Sequence, residues 1–237
     1  MEMYFSKLCV RKDASPKELS QFSHKDGYKL HQWVWSLFPE DKEAKRDFLF
    51  HRFETPASPV PFGYFVVSRR PPQRAGDLWE LSVKPYAPKL ETGAMLKFSL
   101  RANVTIKSPH RDRAKTQGKR EDLLMYKKHQ WRTEQETKPE AEREPFPQRR
   151  MEQELGLGWL AQKGEANGFH LEAKASKVLA YRQEIFYGKA KQPVRYSYFD
   201  FDGALAVTDP QKFEQCLFTG IGKAKGFGCG LLMVAPR

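Results

Sequence analysis

Two stretches of this chain carry residue types that do chemistry together. The first is Tyr28-Lys-Leu-His31, a phenol and an imidazole three residues apart. The second, near the other end, is Gly220-Ile-Gly-Lys-Ala-Lys-Gly-Phe-Gly-Cys-Gly230, five glycines interleaved with Lys223 and Lys225. Glycine lets a backbone approach a ligand closely and adopt positive φ, so N–H groups can converge on an anion, and the two lysines make a phosphate the natural one. Histidine titrates near neutral pH and can take or give a proton. Tyrosine can orient a nucleophile, and lysines or loop N–H groups can stabilise charge that develops in a transition state. Metal-free RNA cleavage needs this inventory: a base for the 2′-hydroxyl, an acid for the leaving 5′-oxygen and cations around the phosphate.

Other readings of the glycine loop fare worse. A dinucleotide fingerprint follows a strand and opens a helix, whereas here a helix signal precedes the loop and an apolar run, Leu231–Val234, follows it. No Gly-Lys-Ser/Thr completes a P-loop. Lys225-Gly-Phe-Gly228 matches the first four positions of the RNP1 octamer, but Cys229 and Leu232 stand where its later aromatics belong. A plain glycine-rich cap and turn is the bland alternative.

Composition narrows the partner. A net charge of +12, a pI near 9.5 and 13% aromatic residues over 237 residues are the footprint of a nucleic-acid binder. No apolar run is long enough to span a membrane and no signal peptide opens the chain, so a cytoplasmic protein is expected. Cys9, Cys216 and Cys229 form no CxxC pair and read as reduced core thiols, and the histidines lack metal-ligand spacing. Neither a metal nor a cofactor is expected.

The elements that must position these groups follow from periodicity. Tyr4–Arg11, Phe48–Phe53, Tyr64–Ser68 and Leu78–Val83 read as strands, Asp13–Lys25 as a polar loop and Tyr28–Phe38 as a helix. Within that helix Leu30, Trp33, Val34, Leu37 and Phe38 form the apolar stripe; His31 lies on its flank and Tyr28 nearly opposite. The stretch 69–77 is a weak second helix. Pro85–Gly93 reads as a linker. Met95–Ile106 is a strand, and the charged segment that follows, to about 148, is an exposed, partly disordered insertion. A helix at Gln148–Gln162, strands at Phe169–Ala173, Leu179–Tyr187 and Val194–Val207, a helix at 209–219 and a terminal strand complete the chain. Asp209 serves as N-cap, Pro210 as first helical residue and Gly220 as C-terminal glycine. Both halves thus give strand–helix–strand–strand–helix–strand: an α+β chain of two tandem ferredoxin-like (RRM-like) domains, 1–88 and 94–237, with a charged insertion in the second at about 108–148.

Tyr28-Lys-Leu-His-Gln32, Leu37-Phe-Pro39, Arg46-Asp-Phe-Leu-Phe50, Leu100-Arg-Ala-Asn103 and the glycine loop with Leu231 and Leu232, in that order, resemble the sequence blocks of the CasE family. These are the CRISPR repeat-processing endoribonucleases of the type I-E Cascade complex. The resemblance implies metal-independent cleavage of the repeat stem-loop in precursor crRNA, with 5′-hydroxyl and 2′,3′-cyclic phosphate ends, retention of the mature crRNA and assembly with other Cascade subunits. It makes His31 and Tyr28 the catalytic residues. The RNA contacts it implies are Gly220, Gly222, Lys223, Lys225, Gly226 and Gly228 in the loop, and Arg182, Lys189, Lys191 and Arg195 in a basic hairpin. Arg101 and Lys107 complete that set. Lys29 and Arg46 fit a solvated surface as well as a phosphate contact. A non-catalytic RNA-binding scaffold of the same fold is the alternative.

Overall fold

The computed structural model describes residues 2–23, 27–39, 45–54, 62–73, 76–108, 119–187 and 193–237. Strands β1 (Tyr4–Val10), β2 (Phe48–Glu54), β3 (Phe62–Ser68) and β4 (Trp79–Pro85) form an antiparallel sheet in the order β2-β3-β1-β4. After the linker come β5 (Met95–Ala102), the ribbon β6 (Thr105–Ser108) and β7 (Lys119–Asp122), β8 (Phe169–Leu171), β9 (Lys177–Tyr187), β10 (Pro193–Val207) and β11 (Leu232–Pro236). The second main sheet runs β11-β5-β10-β8, with β9 also paired to β10. The first sheet has the order 4-1-3-2 that a ferredoxin-like unit requires, and the second has it too once β8 and β9, which pair with successive stretches of β10, are counted as one strand, so the chain is an α+β protein of two such units.

Alternation along the strands fixes which face each residue takes. In the first sheet Leu8, Val10, Phe48, Phe50, Tyr64 and Val66 face the helices α1 (Pro16–Ser23) and α2 (Gly27–Ser36), where Val34, Leu37 and Phe38 meet them. In the second, Phe98, Leu100, Phe199, Phe201 and Leu232 face α4 (Gln148–Ala166) and α5 (Pro210–Thr219). The opposite faces meet at a seam in which Met3, Leu49 and Val67 of the first unit pack with Leu231 and, at the margin, Phe218 and Met233 of the second. Among the described residues no helix is long and apolar enough to cross a membrane.

Three expectations need correction. Asp13–Lys25 is not all loop: Pro16 opens α1 behind a capping box, with Ser15 N donating to Glu18 Oε2 at 2.8 Å and Glu18 N to Ser15 Oγ at 3.3 Å. The weak helix at 69–77 does not form among the described residues. That crossover is tied down instead by Gln73 N donating to Leu37 O at 2.8 Å. The described part of the charged insertion is ordered: α3 (Leu123–Glu136) starts at Asp122, whose carboxylate accepts from Met125 N, and inserts Leu124 into the second core.

The seam predicts a measurable dependence. Leu49 is 3% exposed. Leu49→Ala is expected to lower the free energy of unfolding by about 2–4 kcal/mol in a urea titration; a loss below about 0.5 kcal/mol would show that the seam does not couple the units.

Candidate active site between the two units

The glycine loop is held at its base by the second unit and laid with its tip on the first. Asp209 caps α5 by accepting from Lys212 N at 3.1 Å, Pro210 takes the first turn, and the helix ends at Gly220, whose N–H donates to Cys216 O at 2.7 Å. Gly220 has φ +74°, and a Cβ there would lie 2.8 Å from Gly230 O and 2.9 Å from both Leu49 methyls, so only glycine fits. Ile221 N donates to Gly230 O at 2.9 Å and Gly230 N to Arg101 O at 2.7 Å; Asn103 and Lys223 form an antiparallel bridge. The tip is a 3-10 turn at Lys225–Phe227, with Phe227 stacked on Tyr196 at 5.1 Å.

That tip reaches α2. A Cβ at Gly226 would stand 3.5 Å from His31 Cε1 and Nδ1 and 3.7 Å from Arg46 Nη1. His31 is half-buried, tilted against Phe48 at 6.2 Å and edge-on to Trp35 at 6.3 Å. Trp35 Nε1 donates to His31 Nε2 at 3.1 Å. An indole nitrogen only donates, so Nε2 carries the lone pair and Nδ1 the hydrogen of the neutral ring. Among the described residues Nδ1 reaches no partner at full hydrogen-bond geometry. Burial, and then the Arg46 charge, hold the His31 pKa below its ordinary value, with the Gly226 backbone opposing them weakly. The imidazole is therefore neutral at pH 7. Tyr28 lies on the first turn of α2, and its side chain lies outside the described residues.

The expected RNA contacts separate into groups. Lys223 is exposed on the loop. Lys225 turns back and donates from Nζ to Thr219 O at 2.6 Å, capping the end of α5, and burial followed by the Arg46 and Lys223 charges lowers its pKa. Arg101 is drawn inward: it lies opposite Asp200 in the β5–β10 register, grips that carboxylate at 2.7 and 2.9 Å and covers the Tyr198 ring at 4.1 Å. Arg182 pairs with Tyr198 and Arg195 with Ile185, so the two arginines point to opposite faces of the β9–β10 hairpin, both exposed. Lys107 is exposed on the separate β6–β7 ribbon, opposite Arg120. Lys189 and Lys191 lie outside the described residues. Burial pushes the Cys216 and Cys229 thiols up to about 12, which removes them as nucleophiles.

Two residues that sequence reasoning passed over belong here. Trp35 stands at i+4 from His31, a spacing that places both on one helix face. His51, one residue beyond the Arg46–Phe50 block, lies against Gly228 and near the Arg101–Asp200 pair.

With this geometry established, comparison with known proteins decides the family. The CRISPR associated protein family model matches residues 3–236. The chain belongs to that family. It is 29% identical over 240 residues to the CRISPR system Cascade subunit CasE of Escherichia coli K12, a match covering 99% of this chain and all of CasE. It is 31% identical over 153 residues to the CRISPR-associated endoribonuclease Cse3 of Thermus thermophilus, over 65% of this chain and 61% of that protein. The structure of a Cse3 endoribonuclease bound to 19 nt RNA shares the fold over the whole length of both chains, with a TM-score of 0.72 at 22% identity.

In this CRISPR-associated protein the His51 pKa is pushed down to about 4, by burial first and then the Arg101 charge, against the opposing Asp200 charge and the Gly228 backbone. A folded-state pKa below the unfolded value of 6.5 leaves stability intact above that value and erodes it as pH falls toward 4. For His51 this amounts to about 3 kcal/mol. Chemical unfolding of wild type and His51→Gln at about pH 7.5 and about pH 4.5 should show a shallower acid loss in the variant, and equal losses would refute the assignment.

Proposed function

We propose that this protein is a metal-independent endoribonuclease that cleaves the CRISPR repeat stem-loop of precursor crRNA and keeps the mature product as a subunit of Cascade. The observation that carries this reading is a half-buried histidine held against a cationic glycine loop at the junction of two ferredoxin-like units. Kinship with Cascade subunit CasE and endoribonuclease Cse3 supplies the substrate class. The working division is 1–88 and 94–237, with the insertion at about 108–148 in the second unit. Three unpaired thiols fit a reducing cytoplasm.

The chemistry follows from the state of His31. Attack by a 2′-oxygen requires a lone pair to receive the hydroxyl proton, and the neutral ring supplies one at Nε2. At rest that lone pair accepts the Trp35 N–H. Productive binding exchanges one donor for another, the indole N–H for the ribose hydroxyl. The 2′-oxygen then forms its bond to phosphorus as the bond to the 5′-oxygen breaks. The proton taken up by His31 returns, directly or through solvent, to that 5′-oxygen, leaving a 2′,3′-cyclic phosphate and a 5′-hydroxyl. Tyr28, one helical turn before His31, stands at the scissile nucleotide as an orienting hydrogen-bond donor. The exposed cations Lys223, Arg182 and Arg195 meet the RNA backbone, which carries most of the affinity.

Incubation of the host repeat RNA with excess protein in EDTA tests this. Wild type is expected to cut once per molecule and to yield the two end groups named above. His31→Ala should cut about 10²–10⁴-fold more slowly while binding nearly as tightly. Cutting by His31→Ala at the wild-type rate, or a wild type that needs an added divalent metal, would defeat the mechanism. Tight binding without product from wild type would leave a scaffold.

A further inference from the structure

We propose that Arg46 is the catalytic cation of this site, binding the non-bridging oxygens of the scissile phosphate beside His31 at Gly226. The proposal rests on the endoribonuclease reading and goes beyond it by assigning a group that touches the reacting phosphate.

The glycine loop directs attention to its two lysines, and the structure gives them other places. Lys225 is engaged at the end of its own helix, its Nζ on Thr219 O at 2.6 Å. Lys223 is bridged to Asn103 through the backbone and keeps its side chain exposed on the flank of the loop. Arg46 belongs to the other unit, in the segment that leads into β2. One of its guanidinium nitrogens lies 3.7 Å from the point where a Gly226 Cβ would stand, and the His31 ring lies 3.5 Å from the same point. The gap that a methyl group would fill is bordered by both the imidazole and the guanidinium. It is open because residue 226 is glycine, although its φ is not one that demands glycine.

The charge around that gap meets no counter-charge among the described residues. Arg46, Lys223 and Lys225 are close enough to repel one another, and no carboxylate among the described residues pairs with any of them. The nearest acid in sequence, Asp47, is committed elsewhere: Arg70 holds both its oxygens, at 2.8 and 3.0 Å, and Arg69 N donates to its carbonyl at 3.2 Å. The Asp47–Arg70 pair thus fixes the segment that carries Arg46 and removes the anion that would have neutralised it. Asp200, on the other side of the loop, is likewise gripped by Arg101. An exposed guanidinium beside the Nδ1–Cε1 edge of an imidazole is a site for an anion, and a guanidinium fork matches two oxygens of a phosphate. As the phosphorane forms, charge builds on those oxygens, and a fixed cation stabilises it more than the ground state.

The test is single-turnover cleavage of repeat RNA, with the protein saturating, by wild type, Arg46→Ala, Arg46→Lys and Gly226→Ala, alongside affinity for a repeat carrying a 2′-deoxy scissile nucleotide and a thermal melt of each protein. Arg46→Ala is expected to cleave about 10²–10³-fold more slowly at saturation, with affinity within a few fold of wild type and an unchanged melt. Arg46→Lys should recover part of the rate, since it restores the charge without the fork. Gly226→Ala meets its neighbours at ordinary contact distance, so it should fold normally and cleave poorly because the methyl occupies the phosphate gap. Arg46→Ala cleaving within about threefold of wild type overturns the assignment. A rate loss that disappears when RNA is raised to saturation also overturns it, because Arg46 would then only bind. If Arg46→Ala fails to fold, Gly226→Ala decides: full activity in that variant means that no phosphate enters the gap. A wild type that cleaves no repeat RNA overturns the endoribonuclease reading itself, an outcome distinct from an active wild type with an equally active Arg46→Ala.

Discussion

The site depends on one steric constraint: the backbone of the glycine loop must lie directly on the edge of the first sheet. Gly220 faces the Leu49 methyls, Gly228 the Phe50 ring, which a Cβ there would approach to 3.2 Å, and Gly226 the His31 ring. A side chain at the first position would collide, and one at the second would press on a buried phenyl ring. Leu49 and Phe50 point to opposite faces of β2, so the loop straddles the edge strand and touches both layers of the first unit. His31 and the cationic loop come from different units. The site therefore exists only while the seam of Leu49, Val67, Met3 and Leu231 holds.

Electrostatics divides the charged groups into two kinds. Arg101–Asp200 and Arg70–Asp47 are bidentate, partly buried pairs that fix backbone: the first supports the strand from which Gly230 hangs, the second the approach to β2. Arg46, Lys223 and Lys225 have no such counter-charge among the described residues. Their mutual repulsion costs stability in the free protein and is relieved by a polyanion. Burial and the Arg46 charge keep His31 neutral, and Trp35 reinforces this, because an indole N–H has no acceptor role toward an imidazolium. Charge thus accumulates around the base without protonating it.

Much of the fold is legible along the chain because a strand buried on both faces shows as a short apolar run and one buried on a single face alternates. Phe48-Leu-Phe50 and Leu96 to Leu100 announce β2 and β5, and Asp209-Pro210 with Gly220 brackets α5 within a residue. What went unread lacks that signal. Pro16–Ser23 carries few apolar residues, and its helix is declared by the Ser15/Glu18 capping box rather than by periodicity. Leu123–Glu136 reads as a charged insertion because only Leu124 on it is a fully buried apolar residue; the Asp122 cap is its local mark. The failed helix at 69–77 is the converse case, where repetition of the unit suggested an element that its prolines and glycine oppose.

The sequence by itself determined the composite character of the site: a histidine at helical spacing from a tyrosine, a cationic glycine loop, a basic surface and two halves of equal element order. Local chemistry suffices for that, since titration range, backbone freedom and periodicity belong to residues and their near neighbours. Only the tertiary structure decided which cations face the phosphate gap. Lys225 lies inside the loop motif yet bonds to Thr219, and Arg101 lies in a family block yet pairs with a strand neighbour. Arg46, for which the sequence leaves solvated surface and phosphate contact equally open, stays beside His31 at Gly226 while Asp47 is taken by Arg70. The reason is physical: a charged side chain goes to the partner that packing brings within reach, and that partner is set by contacts between residues far apart in the chain.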